Sequence, residues 1–363
     1  MKIRTAIILW VTAIALGILC YFIKFNQNNN SIAKTKLKAG QKLIPNLPTR
    51  DISRVTLTLG DFKTELVKLD PKSADSLWGV SERNQYPADQ ELLRKLLGSL
   101  GEIKVSQAFP CIEEHYHRFS LLEKSEKASQ RALHITMYLP DGSEAAELYL
   151  GKLSGGQQTA FSEGASGRYV RLANDDSGVY TLGEIFPGIG ASPENWLKKD
   201  FLIITQLESV ELSAPNDTEF RSYKIQRSPQ NTGLEVSDLA SDEVMKLTST
   251  NGITKLFNTS SFIDVLNEER FNENRNPDTK LTREALIKTT EGFNYKLSIT
   301  PEKEASNTCF ISIQTTLNVA ESDANKTKLA EAKKLEGHYF KISKSIVGPL
   351  LLDRSNFVSK LPK

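Results

Sequence analysis

Histidine and cysteine are scarce in this chain, with four His and three Cys among 363 residues. So few imidazoles leave little choice of general base, and none has an evident partner in the sequence around it. Beyond the first 50 residues the only thiols are Cys111 and Cys309. They allow a single disulfide at most, and whether it forms stays open. Acidic residues are missing altogether before Asp51, whereas Lys2, Arg4, Lys24, Lys34, Lys36, Lys38, Lys42 and Arg50 precede it. Taking those eight from the 46 Lys+Arg leaves 38 against 44 acids, a net of −6 over the remainder. A body without a positive field excludes a basic nucleic-acid-binding domain. Phosphate and nucleophile signatures are also lacking. Gly151-Lys-Leu-Ser-Gly-Gly156 is not closed by GK[ST], and Gly188-Ile-Gly190 lacks a third glycine. Gly164-Ala-Ser166-Gly167 does not have the spacing of a nucleophile elbow.

Long apolar stretches occur once. Ala6–Ile23 is uncharged over 18 residues, which on a helix span about 27 Å, near the hydrocarbon thickness of a bilayer. Trp10 and Tyr21 stand near its ends, where amphipathic rings favour the interface. No small-x-small cleavage pair follows, and Leu19 before Cys20 opposes lipidation. An uncleaved anchor is therefore favoured over a cleaved signal or a lipoprotein. The lysines after the run taken alone would keep the body in the cytoplasm, while the short basic tail before it favours export. Asn26 to Pro48 is polar and aperiodic and reads as a tether. The expected division is 1–25 anchor, 26–50 tether, 51–203 first repeat and 206–358 second repeat.

The body reads as α+β, two tandem related halves, each an antiparallel sheet with a covering helix. Val55-Thr-Leu57-Thr-Leu59 alternates, and Gly60-Asp61 turns it into Phe62–Leu69. Val210-Glu-Leu212 and Tyr223-Lys-Ile225 form a similar pair. Leu92, Leu93, Leu96, Leu97 and Leu100 make one face of a helix over 88–100, with Pro87 at its start and Gly101 at its end. Two matches support duplication. Lys95-Leu96-Leu97 and Ile103-x-Val105 recur as Lys255-Leu256-Phe257 and Ile263-x-Val265, an offset of 160. Gly167-Arg-Tyr-Val-Arg-Leu172 recurs as Gly337-His-Tyr-Phe-Lys-Ile342, an offset of 170. Between them, strands at 133–139 and 147–151 answer those at 295–300 and 310–314. A last helix is expected over 324–335, opposite the glycine-rich loop 152–166.

Ligand-type residues are densest at Cys111-Ile-Glu-Glu114-His115-Tyr-His117. Such a set can bind zinc, but solvated loop side chains are the commoner meaning of this pattern. The acid pairs Asp175-Asp176 and Glu268-Glu269 read as turn or helix-end residues. Trp78 and Trp196 read as packing between sheet and helix. No catalytic, cofactor-binding or metal residue is assigned, and the chain is expected not to be an enzyme.

Together these elements resemble the bacterial family catalogued as domain of unknown function 4340. The resemblance is carried by the N-terminal anchor, Val55-Thr-Leu57, Trp78-Gly-Val80, Tyr86-Pro87-Ala-Asp89 with its leucine helix, and Pro140-Asp141-Gly142. It continues through Leu148-Tyr-Leu150-Gly151-Lys152, Gly167-Arg-Tyr-Val-Arg171, Val179-Tyr180 and Asn195-Trp196-Leu197. It covers residues 50–230 well and the second half loosely, and departs around Cys111–Leu122. The resemblance implies a single-pass protein of the inner membrane with its body in the periplasm. It also implies that some relatives are encoded beside ABC-transporter permeases of the kind linked to gliding motility. The expectation is a non-enzymatic accessory or scaffold of such a transport complex, without cofactor and without nucleic acid. The alternatives are a periplasmic module binding a glycan or small ligand and, less favoured, a metal-dependent enzyme on Cys111, Glu114, His115 and His117.

Overall fold

The computed structural model describes residues 16–18, 34–71, 73, 75–155, 167–201, 203–204, 206–228, 233–246, 252–254, 256–257, 261–303, 306–319 and 322–361. The expected membrane helix over 6–23 lies outside them except for Leu16, Gly17 and Ile18, which are helical and exposed. Among the described residues no helix is long and apolar enough to cross a membrane. The glycine-rich segment from Gly156 to Ser166 also lies outside.

The chain forms two compact units, Met1–Leu77 with Gln90–Asn195, and Trp78–Asp89 with Trp196–Lys363. Both are α+β with antiparallel pairing. In chain order the elements begin with β1 (Arg54–Leu59) and β2 (Phe62–Lys68), then β3 (Trp78–Val80) and β4 (Tyr86–Pro87) in the segment given to the second unit. Helix α1 (Gln90–Glu102), β5 (Val105–Pro110), β6 (Leu133–Tyr138), β7 (Glu144–Ser154), β8 (Gly167–Leu172) and β9 (Gly178–Leu182) complete the first. The second unit continues with β10 (Leu207–Ser213), β11 (Tyr223–Arg227), β12 (Leu234–Val236), β13 (Glu243–Met245) and β14 (Asp264–Leu266). Next come α2 (Glu268–Asn274), β15 (Arg283–Thr289), β16 (Phe293–Pro301), β17 (Thr308–Leu317), α3 (Asp323–Lys333), β18 (Tyr339–Ser343), α4 (Lys344–Leu351) and β19 (Val358–Lys360).

Local pattern accounts for most of these elements. In β1 the side chains of Val55 and Leu57 are fully buried while their neighbours are not, as period-two alternation requires. The β1–β2 hairpin closes through Gly60-Asp61 with Leu59 opposite Phe62, and Gly60 takes φ 61°, open to glycine at no steric cost. Helix α1 buries Leu93, Leu96, Leu97 and Leu100. It starts at Gln90, after Pro87 has been used in β4, and runs through Gly101 to Glu102. The apolar stripe, and not the proline and glycine, sets its extent.

Within the first unit the strands lie in the order β2-β1-β6-β7-β8-β9-β5; in the second the order is β12-β11-β10-β15-β16-β17-β18-β14, with β13 and β19 paired apart. Omitting β12, the two orders correspond strand for strand. Helical residues at 252–254 and 256–257 precede β14 as α1 precedes β5, and the offset of 160 joins these equivalent elements. The offset of 170 does not. It sets β8 against β18, whereas the strand at the position of β8 in the second sheet is β17. The strands at 133–139 and 147–151 correspond likewise to β15 and β16, not to 295–300 and 310–314. Short glycine-led alternations are common enough to match out of register.

Two boundaries also differ from the expected ones. The stretch 26–50, read as a tether, is packed from Lys36 onward. Lys36 N–H donates to Ser177 Oγ at 2.7 Å, and Gly40 and Leu43 N–H donate to the Val105 and Ile103 carbonyls at 2.8 and 3.0 Å. Leu43 is fully buried. Lysines surround this leucine in sequence and disguise it. Residues 78–89 leave the first unit because tertiary contacts in the second hold them. Asp89 N–H donates to Trp196 O, Lys198 N–H to Pro87 O, and Arg83 forms two bonds with Asp264 at 2.7 and 2.9 Å. The Tyr86 ring meets Phe262 and Phe340 edge-on at 5.8 and 6.0 Å.

The second core closes where Leu256, Phe257, Val347 and Leu350 meet Leu297, Ile311 and Ile342 around one small apolar gap. Each such fully buried side chain contributes about 1.5–3 kcal/mol.

Candidate functional site: a charged cleft and a polar strand row

A cleft of about 580 Å³ opens in the second unit, within the usual range for small-molecule sites of roughly 300–1,000 Å³. The β10–β11 loop supplies Asp217, Glu219, Phe220 and Arg221; β13 supplies Glu243 and β15 supplies Arg283. The C-terminal turn and β19 add Asp353, Arg354 and Lys360. Four cations thus face four carboxylates.

Their states differ. Arg354 is 8% exposed, and its Nη1 and Nη2 donate to Glu243 Oε1 and Oε2 at 2.7 and 2.6 Å. Nη2 also donates to the Asp238 carbonyl at 2.6 Å. Those hydrogen bonds from Arg354 hold the Glu243 carboxyl down at about 2, and this pair clamps the β13–β19 ribbon. Arg283 is held differently. Nη1 donates to Lys280 O at 2.7 Å and to Thr282 O at 3.3 Å, and its guanidinium carbon lies 4.6 Å from the Phe220 ring centre. Nη2 stands 3.6 Å from Asp217 Oδ2, beyond hydrogen-bond distance. Nε is buried with no hydrogen-bond partner among the described residues. Nothing in the sequence marks this cleft, because its residues come from four segments spread between Asp217 and Lys360.

The first unit carries a polar row across four strands. Thr58, His134, Tyr149 and Arg171 are successive register partners on β1, β6, β7 and β8. The His134 ring stacks on Tyr149 at 4.4 Å and 4°, and the Arg171 guanidinium lies 3.5 Å from the centre of the Tyr149 ring. His134 Nε2 is 2.6 Å from Glu147 Oε1, Nδ1 is 3.4 Å from Thr58 Oγ1, and Tyr149 Oη donates to Glu147 Oε1 at 3.3 Å. Burial, with Glu147 beside it, pushes the Tyr149 hydroxyl up to about 12, so at neutral pH it is a donor. His134 therefore has the acidic partner that the surrounding sequence does not reveal. The signal was present as alternation, 134 and 136 against 147 and 149, but only strand pairing joins the two.

Other residues singled out in the sequence are partly packed and partly exposed. Cys111 packs beside Tyr116, Leu121 and Tyr149, while His115 and Glu114 are exposed and His117 Nδ1 is 2.7 Å from the Glu114 carbonyl. Among the described residues no group of three or more His, Cys, Asp or Glu side chains could hold a metal ion. Cys111 and Cys309 are free thiols. Asp175 is 4% exposed and accepts from Ser177 Oγ and Tyr180 Oη, both at 2.5 Å. Burial alone would raise its pKa, but these bonds outweigh burial and lower it. Glu268 and Glu269 are exposed at the start of α2. Gly151 is required by packing, since a Cβ there would sit 2.2 Å from the Phe119 carbonyl oxygen. Trp78 and Trp196 are 7% and 0% exposed, as packing residues are.

A family model described as "Domain of unknown function (DUF4340)" matches residues 78–281, further along the chain than the residues 50–230 that carried the resemblance best. Comparison with curated proteins and with solved structures found no match.

Proposed function

The chain belongs to this family of unknown function, and on that premise we propose a non-enzymatic, membrane-anchored extracytoplasmic accessory or scaffold protein. It serves an ABC-type transport complex of the gliding-motility kind, as a single-pass protein of the inner membrane of a bacterium with its body in the periplasm. The observation that carries this reading is the shared strand order of the two sheets, joined to the apolar run at 6–23. In this reading two tandem related halves form the body that the apolar run anchors.

Affinity purification of the full chain from solubilised membranes is expected to recover transporter subunits. Recovery of the chain alone would remove the accessory role. In intact spheroplasts, added protease is expected to digest residues 51–363; protection until lysis would reverse the orientation.

The cleft of the second unit favours a second reading, a binding module for a small ligand. It has the volume of such sites and holds one arginine whose donors are not all used.

A further inference from the structure

We propose that the cleft of the second unit takes a zwitterionic ligand of the amino-acid or short-peptide class, with its carboxylate on the Nε–Nη2 edge of Arg283. This inference rests on the binding-module reading.

An arginine recognises a carboxylate side-on through parallel bonds from Nε and one terminal nitrogen. The same unit shows that edge in use. Arg83 donates from Nε to Asp264 Oδ1 at 2.7 Å and from Nη2 to Oδ2 at 2.9 Å. In Arg283 the corresponding edge makes no hydrogen bond: Nε is buried without a partner and Nη2 has only Asp217 at ion-pair distance. The opposite nitrogen is fixed on two carbonyls, so the fork is held in place before any ligand arrives. Asp217 stands at 3.6 Å, near enough to keep the cation company but not bonded to it. A buried donor without a partner is unfavourable, and a ligand carboxylate would satisfy it. Because Nε is buried, entry requires the side chains of Asp217 and Phe220 to give way. Both belong to a loop between strands, where such adjustment is least costly.

Charge in the cleft selects the rest of the ligand. Arg354 and Glu243 neutralise each other. Glu219 and Asp353 are exposed in the same lining and make no ion pair among the described residues. With Arg283 occupied by a ligand carboxylate, Arg221 and Lys360 remain against these two acids and Asp217, so the lining keeps one acid in excess. A ligand that also carries an ammonium group matches both signs, and Phe220 provides an apolar surface for a side chain.

The test is calorimetric titration of the full chain in detergent with alanyl-alanine, N-acetyl-alanyl-alanine and alanyl-alaninamide. Alanyl-alanine is expected to bind, with both blocked forms at least tenfold weaker. Arg283→Lys, which keeps the charge but not the planar fork, should weaken alanyl-alanine at least tenfold. Arg270→Lys on exposed α2 should leave it unchanged. Asp217→Asn, which removes the carboxylate nearest the fork, should tighten binding and so supplies a check that does not depend on the stability of the Arg283 variant. Equal binding of the N-acetyl form would overturn the zwitterionic class. Unchanged binding by folded Arg283→Lys would overturn the assignment to Arg283 and leave the binding-module reading standing. If none of the three probes binds at millimolar concentration, both fall.

Discussion

Replacing Arg83 by Met tests what holds residues 78–89 in the second unit. The Arg83 and Asp264 side chains are 8% and 19% exposed, and two charge-assisted bonds join them. Removing one partner of a fully buried pair costs about 3–5 kcal/mol, since the other charge is left uncompensated. Here the cost is smaller. Asp264 retains some solvent, and its Oδ1 also accepts from Val265 N–H at 2.8 Å, so about 2–3 kcal/mol is expected for Arg83→Met. At 1.4 kcal/mol per decade, that is roughly a 30- to 150-fold shift in the unfolding equilibrium. Asp264→Asn should cost somewhat less, because the amide still accepts one bond. A double-mutant cycle should give a coupling of about 1.5–3 kcal/mol. Replacing both residues by Met and Leu should be milder than the sum of the single changes. The assay is urea denaturation of the full chain followed by tryptophan fluorescence, since Trp78 and Trp196 both belong to the affected unit. A loss below about 1 kcal/mol for Arg83→Met, with coupling near zero, would refute the reasoning and leave the aromatic contacts of Tyr86 as the holding force.

Gly151→Ala places a Cβ 2.2 Å from a backbone oxygen, so β7 or the Phe119 turn must move. A thermal melt should show loss of several kcal/mol, and an unchanged melt would contradict the packing described. His338 is held below its ordinary pKa by burial, beside Tyr86 at 5.3 Å. The unfolded chain therefore binds its proton more readily, and stability falls as pH drops through about 6.5 toward the lower folded value. His338→Phe should remove that part of the pH dependence between about pH 7 and 5, measured by urea midpoints. Cys309 is fully buried, which also pushes its thiol up to about 12, whereas Cys111 is half-buried, so iodoacetamide at pH 8 should label Cys111 in the native protein and Cys309 only after unfolding. Peptide mass spectrometry distinguishes them. Glu243, held at about 2 by Arg354, has a folded pKa below its unfolded value of roughly 4.3. Its contribution is present above the unfolded value and lost as pH falls toward 2; Glu243→Gln should flatten the acid limb of the stability curve.

Sequence alone determined the local elements of this protein. Alternation at Val55 and Leu57, the Gly60-Asp61 turn and the leucine stripe of α1 all survive in the fold. Each rests on a period, 2.0 or 3.6, that a single segment imposes on its own backbone. Tertiary structure decided what is non-local. Strand pairing gives β17 the place in its sheet that β8 has in the other, because register depends on partners that no segment contains. It also moves residues 78–89 into the second unit and Leu43 out of the supposed tether, since burial is a property of neighbours and not of composition. The histidine row and the arginine cleft follow the same rule. His134 meets Glu147 across a strand pair, and Arg283 meets Phe220 across an even longer stretch of chain. Electrostatic and hydrogen-bond chemistry acts over a few ångströms of space, and only the fold sets which residues lie within that reach.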